Sequence, residues 1–197
     1  MKKTLILVGL VVAVLTLSPV TKADQLVFTT TLTGSQEVPP SGSPGIGSAL
    51  VTLDTVTNIL TVNVAFAGLV SPTTASHIHC CAGPGALAMV ATAVPTFPGF
   101  PLGVTTGTYL MSFDLTNAST YNPAFIAANG GTVAGAQAAF ITGLTNGLAY
   151  FNIHTQQFPA GEIRGQLAAI PEPASLLLLA TGVLGAAGAL RKRRKTD

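Results

Sequence analysis

The sequence predicts a mainly β protein: an antiparallel β-sandwich of the immunoglobulin-like or Greek-key type. Three observations predict it. Apolar residues alternate with polar ones along several short runs between residues 26 and 167. Turn-forming clusters rich in Gly, Pro and Asn separate those runs. The same stretch carries very little charge, with Thr, Ser, Asn and Gln supplying its polar surface. One segment departs from the rhythm and predicts a short helical insertion before the last two strands. Apolar segments at the two ends predict a signal helix and a C-terminal transmembrane helix outside the sandwich.

The elements follow in order. Lys2 and Lys3 precede an apolar run from Leu5 to Leu17, and Thr21-Lys22-Ala23 offers small residues before a cleavage point. Residues 1–23 therefore read as a secretory signal peptide, cut by signal peptidase between Ala23 and Asp24. Leu26, Phe28 and Leu32 share one face of a Thr-rich first strand, and Ala49, Val51 and Leu53 share one face of a second. After a turn at Thr57-Asn58, Leu60, Val62, Val64 and Phe66 alternate with Thr61, Asn63 and Ala65. Tyr109, Met111 and Phe113 mark a further strand; Ala149, Phe151 and Ile153 mark another, followed by Ile163 and Leu167. The Pro- and Gly-rich stretches 38–47 and 94–103 read as loops. In the second of these, Phe97 and Phe100 either present their rings to sugars or fold them over a sheet. Val133, Ala136, Phe140 and Leu144 recur at helical spacing, with Thr132 as N-cap and Thr145-Asn146-Gly147 as terminator. A shorter helical turn is expected from Pro123 to Ala128.

Charge separates cargo from ends. The whole chain has a formal net charge of +2, but of its nine Lys and Arg only Arg164 lies between residues 24 and 170. Against it stand Asp24, Glu37, Asp54, Asp114 and Glu162, so that stretch is acidic. A nucleic-acid partner needs a basic patch, and the domain offers none. Its length suits one domain with a substantial core.

The last 27 residues form a three-part tail. Pro171-Glu172-Pro173 comes first, then an uncharged run over 174–190, then Arg191-Lys192-Arg193-Arg194-Lys195. Seventeen uncharged, mostly apolar residues are at the short end of a bilayer span, and a basic cluster behind them stays cytoplasmic. The tail resembles the PEP-CTERM sorting signal of Gram-negative bacteria. That resemblance implies an exosortase-type processing enzyme as partner and an intermediate anchored in the inner membrane. It also implies final delivery to the cell surface or the exopolysaccharide matrix, as in a biofilm.

Three histidines carry the domain's chemical potential. His77 and His79 are i and i+2 in a strand and share a face, with Ile78 opposite; His154 likewise faces away from Ile153. If both isoleucines enter the core and the two strands pair, the imidazoles meet on the outer face. They would form a copper or zinc site, redox-active on one reading, or a solvent-facing or loop-covered polar cluster. Glu162 and Arg164 share a face of the last strand; they form a surface ion pair, or present Arg164 to an anionic group such as a carboxylated sugar. Cys80 and Cys81 are adjacent. A vicinal disulfide, free thiols, intermolecular pairing and metal ligation all remain open for them. Serine-nucleophile, phosphate-loop and metalloprotease motifs are absent, so the expectation is binding rather than catalysis, with no cofactor other than that copper or zinc.

Several motifs together resemble the CHRD domain. These are Leu32-Thr33-Gly34-Ser35-Gln36-Glu37-Val38-Pro39-Pro40, the His-Ile-His segment, Tyr121-Asn122-Pro123-Ala124-Phe125 with Asn129-Gly130-Gly131, and Tyr150-Phe151-Asn152-Ile153-His154-Thr155 running on to Gly161-Glu162-Ile163-Arg164-Gly165-Gln166-Leu167. The resemblance covers about residues 25–169 and implies an extracellular module over 24–170, followed by the sorting tail 171–197. It carries no reaction with it.

Overall fold

A computed structural model describes residues 25–170 and, apart from them, Gly182 alone. The expected signal peptide with its Ala23/Asp24 junction, the Pro171-Glu172-Pro173 motif, the 174–190 span and the basic tail lie outside the described residues. Among the described residues no helix is long and apolar enough to cross a membrane.

Four long strands follow the alternation closely. β1 (Gln25–Thr33), β2 (Ile46–Asp54) and β3 (Ile59–Ala67) pair antiparallel over their full lengths, and β3 also pairs with a strand at Gly107–Asp114. Phe28 and Leu32, then Val51 and Leu53, then Leu60, Val62 and Val64 are buried on one side. The β2–β3 turn is held by Asp54, whose Oδ1 accepts from the Val56 and Thr57 N–H groups at 2.9 and 2.8 Å. Those bonds favour the ionised form and hold the Asp54 carboxyl below its usual range. Asn58 takes the left-handed conformation (φ 60°) that closes the turn.

Numbered along the chain, the remaining strands are β4 (Thr73–Cys80), β5 (Met89–Val90), β6 (the Gly107–Asp114 strand), β7 (Ala149–Thr155), β8 (Ile163–Gln166) and β9 (Ala168–Ala169). All nine belong to one antiparallel sheet of order β5-β4-β7-β8-β1-β2-β3-β6, with β9 also on β1. The two layers of the expected sandwich are thus two halves of one curled sheet. They join where Thr33 pairs with Arg164 and where Phe28 and Thr29 pair with Ala169 and Ala168. The two short strands β5 and β9 escape a periodicity argument because two residues define no period.

Phe97 in the β5–β6 loop fastens the halves together. Its ring centroid lies 5.1 Å from Phe113 on β6 and 6.0 Å from Phe151 on β7. Phe100 stacks on Phe66 at 5.6 Å, and both loop rings are buried. The aromatic loop therefore folds inward and presents no ring to sugars.

The helical insertion precedes β7 as expected. α1 (Pro123–Ala128) starts at Asn122, whose side chain accepts from the Ala124 N–H, with Pro123 at the first helical position. α2 (Val133–Thr145) is capped by Thr132, whose hydroxyl accepts from the Gly135 N–H at 3.1 Å. It ends through Gly147 in the left-handed region (φ 67°), with the Leu148 N–H bonded to Gly143 O. Ala136, Phe140 and Leu144 are buried.

Candidate functional site

Alternation along β4, β7 and β8 sends Ile78, Phe151, Ile153 and Ile163 into the core. The same alternation gathers His77, His79, Tyr150, Asn152, His154, Arg164 and Gln166 on the opposite face. The pairing register sets His77 beside Asn152 beside Arg164, and His79 beside Tyr150 beside Gln166. The sequence places the three histidines on the outer face. They do lie opposite the isoleucines, but that face is not open to water. The imidazole residues are only 6%, 9% and 8% exposed, and all seven residues of β7 are buried. Connections between strands fold over the face and close it.

Each covering loop grips the polar face with a backbone carbonyl. His77 Nε2 lies 2.8 Å from Pro95 O, His79 Nδ1 2.9 Å from Ala88 O, and His154 Nδ1 3.0 Å from Pro159 O. A carbonyl only accepts, so each of those ring nitrogens carries the proton. In a neutral imidazole the other nitrogen is then a bare lone pair. These are His77 Nδ1, His79 Nε2 and His154 Nε2. His77 Nδ1 and His154 Nε2 face each other at 3.3 Å, and His79 Nε2 is buried with no hydrogen-bond partner. One ring nitrogen from each histidine lies within 4.8 Å of the other two.

Electrostatics keep the rings neutral. Burial pushes His77 below its ordinary value and His79 down to about 4, where His77 and Arg164 add to the effect. Burial and the two neighbouring histidines likewise bring His154 to about 4. Bare, deprotonated imidazoles with carbonyl-fixed tautomers are the form in which histidine ligates a metal ion.

A second set of contacts braces His79. The Tyr150 ring stacks on it at 4.7 Å and 9°, and the Arg164 guanidinium lies 4.6 Å from the Tyr150 centroid. The Tyr150 hydroxyl also accepts from the Ala88 N–H at 3.2 Å. Arg164 donates to Gln36 O and, at 3.2 Å, to Ala86 O. Next to it Glu37 is buried, taking only a 3.4 Å bond from the Asn152 side-chain amide and leaving Oε1 unpartnered. Burial outweighs Arg164 and Asn152 and drives the Glu37 carboxyl up to about 7. Gly161 (φ 135°) makes this crowding possible, since a Cβ there would stand 2.6 Å from Asn152 Oδ1 and 2.7 Å from Glu37 Oε1.

Glu162 and Arg164 do not form the expected surface pair. Both are buried, at 0% and 3% exposure. The Glu162 carboxylate is consumed by Ser43 Oγ, Val70 N–H and Thr155 Oγ1, each at 2.6 Å. Arg164 borders a cleft of about 270 Å³ lined also by Ser35, Gln36, Pro84, Gly85 and Gln166. Cys80 and Cys81 form a disulfide with each other, settling the alternatives left open for them. Helix α2 meets it at Gly143, where a Cβ would come within 2.2 Å of Cys80 Sγ.

The residues that a search for catalytic types overlooks are Tyr150, Asn152 and Glu37. The first two lie four and two positions before His154 and share its face by simple alternation. Glu37 arrives from a loop and has no such signal.

A single curled antiparallel sheet with an enclosed polar face defines the class of domain. The CHRD domain model matches residues 28–167, and the chain belongs to the CHRD domain family. The PEP-CTERM protein-sorting motif model matches residues 169–194, which assigns the chain to exosortase-type sorting and to export toward the surface or extracellular space. Neither a curated protein nor a solved structure matches the chain.

Proposed function

We propose that the protein is an exported metal-binding module that acts by binding rather than catalysis, with His77, His79 and His154 holding a copper or zinc ion. One observation carries this reading: His79 Nε2 is buried without a partner beside two further bare imidazole nitrogens. Three imidazole nitrogens within 4.8 Å of one another are spaced to share one cation between them. The carbonyls of Pro95, Ala88 and Pro159 supply the outer hydrogen bonds that metal-ligating histidines require. On this reading the 174–190 span holds the chain in the inner membrane until the exosortase-type enzyme acts. Elemental analysis of the protein as the cell exports it should return about one copper or zinc per chain. Replacing His77, His79 and His154 together by Gln should abolish that metal. A metal-free wild type after equilibration with either ion ends the reading.

A second reading, a structural or adhesive matrix module, is supported by the open face of β1, β2, β3 and β6. That face carries a groove of about 630 Å³ lined by Thr31, Ile46, Ser48, Ala65 and Thr108, with no charged side chain in its lining. Uncharged hydroxyl and methyl groups suit a neutral exopolysaccharide. Co-sedimentation with matrix polysaccharide tests it, and a protein that stays in the supernatant sinks it.

A further inference from the structure

We infer that the three-histidine site is built for monovalent copper, Cu(I), in preference to a divalent ion; this rests on the metal-binding reading above. The argument is one of charge. All three donors are neutral imidazoles, and among the described residues no carboxylate or thiolate joins their cluster of ligating atoms. Glu162 spends its carboxylate on Ser43, Val70 and Thr155. Glu37 takes a bond from Asn152 and is not among the residues whose ligating atoms cluster here. The two cysteines, the soft anions nearest in sequence, are tied in a disulfide, and Cys80 lies in the core against Gly143, on the side of β4 opposite His79.

A metal ion here keeps its whole charge in a region sealed by loops. The solvation cost of burying an ion rises with the square of its charge, so a divalent ion costs about four times as much as a monovalent one of like size. Arg164, already within electrostatic reach of His79, repels a doubly charged ion twice as strongly. Zinc sites of three histidines also keep a fourth, water-filled position, which an enclosed set of rings does not favour.

Geometry agrees. Three nitrogens bonded to one metal at about 2 Å in a trigonal plane stand about 3.5 Å apart. His77 Nδ1 and His154 Nε2 are 3.3 Å apart already, and the whole set lies within 4.8 Å. A modest approach of the His79 ring completes the triangle. Tyr150 stacks on that ring at 4.7 Å, with Arg164 beyond it.

The test is competition on the unaltered exported protein, with cuprous ion kept reduced under argon against a chromophoric cuprous chelator, and zinc against a zinc chelator. The expected result is one Cu(I) per chain, held about 100-fold or more tighter than Zn²⁺. His77→Gln and His154→Gln, each checked for folding by circular dichroism without metal, should each weaken Cu(I) by about 100-fold. Zinc held as tightly as Cu(I) overturns this inference and leaves the metal-binding reading standing. Neither ion held at one per chain overturns both. Cu(I) held equally well by folded forms of both variants places the metal elsewhere and overturns the assignment of the site.

Discussion

The sheet has two polar faces, and they meet opposite fates. On β1, β2, β3 and β6 the rows Thr31–Ser48–Ala65–Thr108 and Thr29–Leu50–Asn63–Leu110 stand open to water. On β4, β7 and β8 the equivalent face carries histidine, tyrosine, asparagine and arginine and is buried under loops. Strand alternation creates both faces in the same way. The connections decide between them: β2 and β3 are joined by a tight Asp54–Asn58 turn, whereas residues 34–45, 82–88, 94–103 and 156–162 are long enough to fold back over the other half. Enclosure converts ordinary polar side chains into groups that must find partners, and most of those partners are backbone carbonyls.

That contrast can be broken most forcefully at the loop that closes the site. Phe97→Ala removes a ring packed between both halves of the sheet and should cost about 3–5 kcal/mol in chemical denaturation. A loss under about 1 kcal/mol would mean that the loop does not fasten the fold. Next in size is a pH effect at Glu37. Its folded value of about 7 lies above the ordinary 4.5, so the folded state binds the proton more tightly than the unfolded chain. The group's contribution is therefore most favourable below about pH 4.5 and falls away as pH rises through 7. Because the histidines, with lowered values, slope the other way, the quantity to measure is the difference between wild type and Glu37→Gln. In metal-free protein the variant should gain about 3 kcal/mol relative to wild type between pH 4 and 8, and a flat difference would refute the assignment.

Gly161→Ala sharpens the comparison at the enclosed face alone. It meets both an unfavourable backbone region and the Glu37–Asn152 pair, and should cost about 1–3 kcal/mol by thermal melting. The open face supplies the smallest effect. Asn63→Ala or Leu50→Thr should change stability by no more than about 0.5 kcal/mol. A large loss there would show that the face is covered in the native protein.

Much of this was legible in the residues themselves. Leu60-Val62-Val64-Phe66 fixed a strand and its buried side, Thr132 fixed a helix start, and the Ile78/Ile153 argument fixed which way the three histidines project. What stayed hidden depends on long-range closure. His77, His79 and His154 lie opposite the core as alternation demands, yet nothing local announces that Pro95, Ala88 and Pro159 will cap them. Glu162 and Arg164 read as surface neighbours because i and i+2 share a face. The loop at 41–45 and the Gln36 carbonyl draw them into separate networks instead. Spacing along a strand reports direction, and says nothing of what a distant segment later lays over it.

The gripping of each imidazole by main-chain oxygen has an evolutionary corollary. An amide carbonyl is offered by every amino acid, so positions 88 and 159 are free to drift in side-chain identity while the proton of each ring stays where it is. A saturation library should therefore tolerate wide variety at those two positions and almost none at the three rings. The chemistry would be inherited through the course of the chain, with the letters above it left open to change.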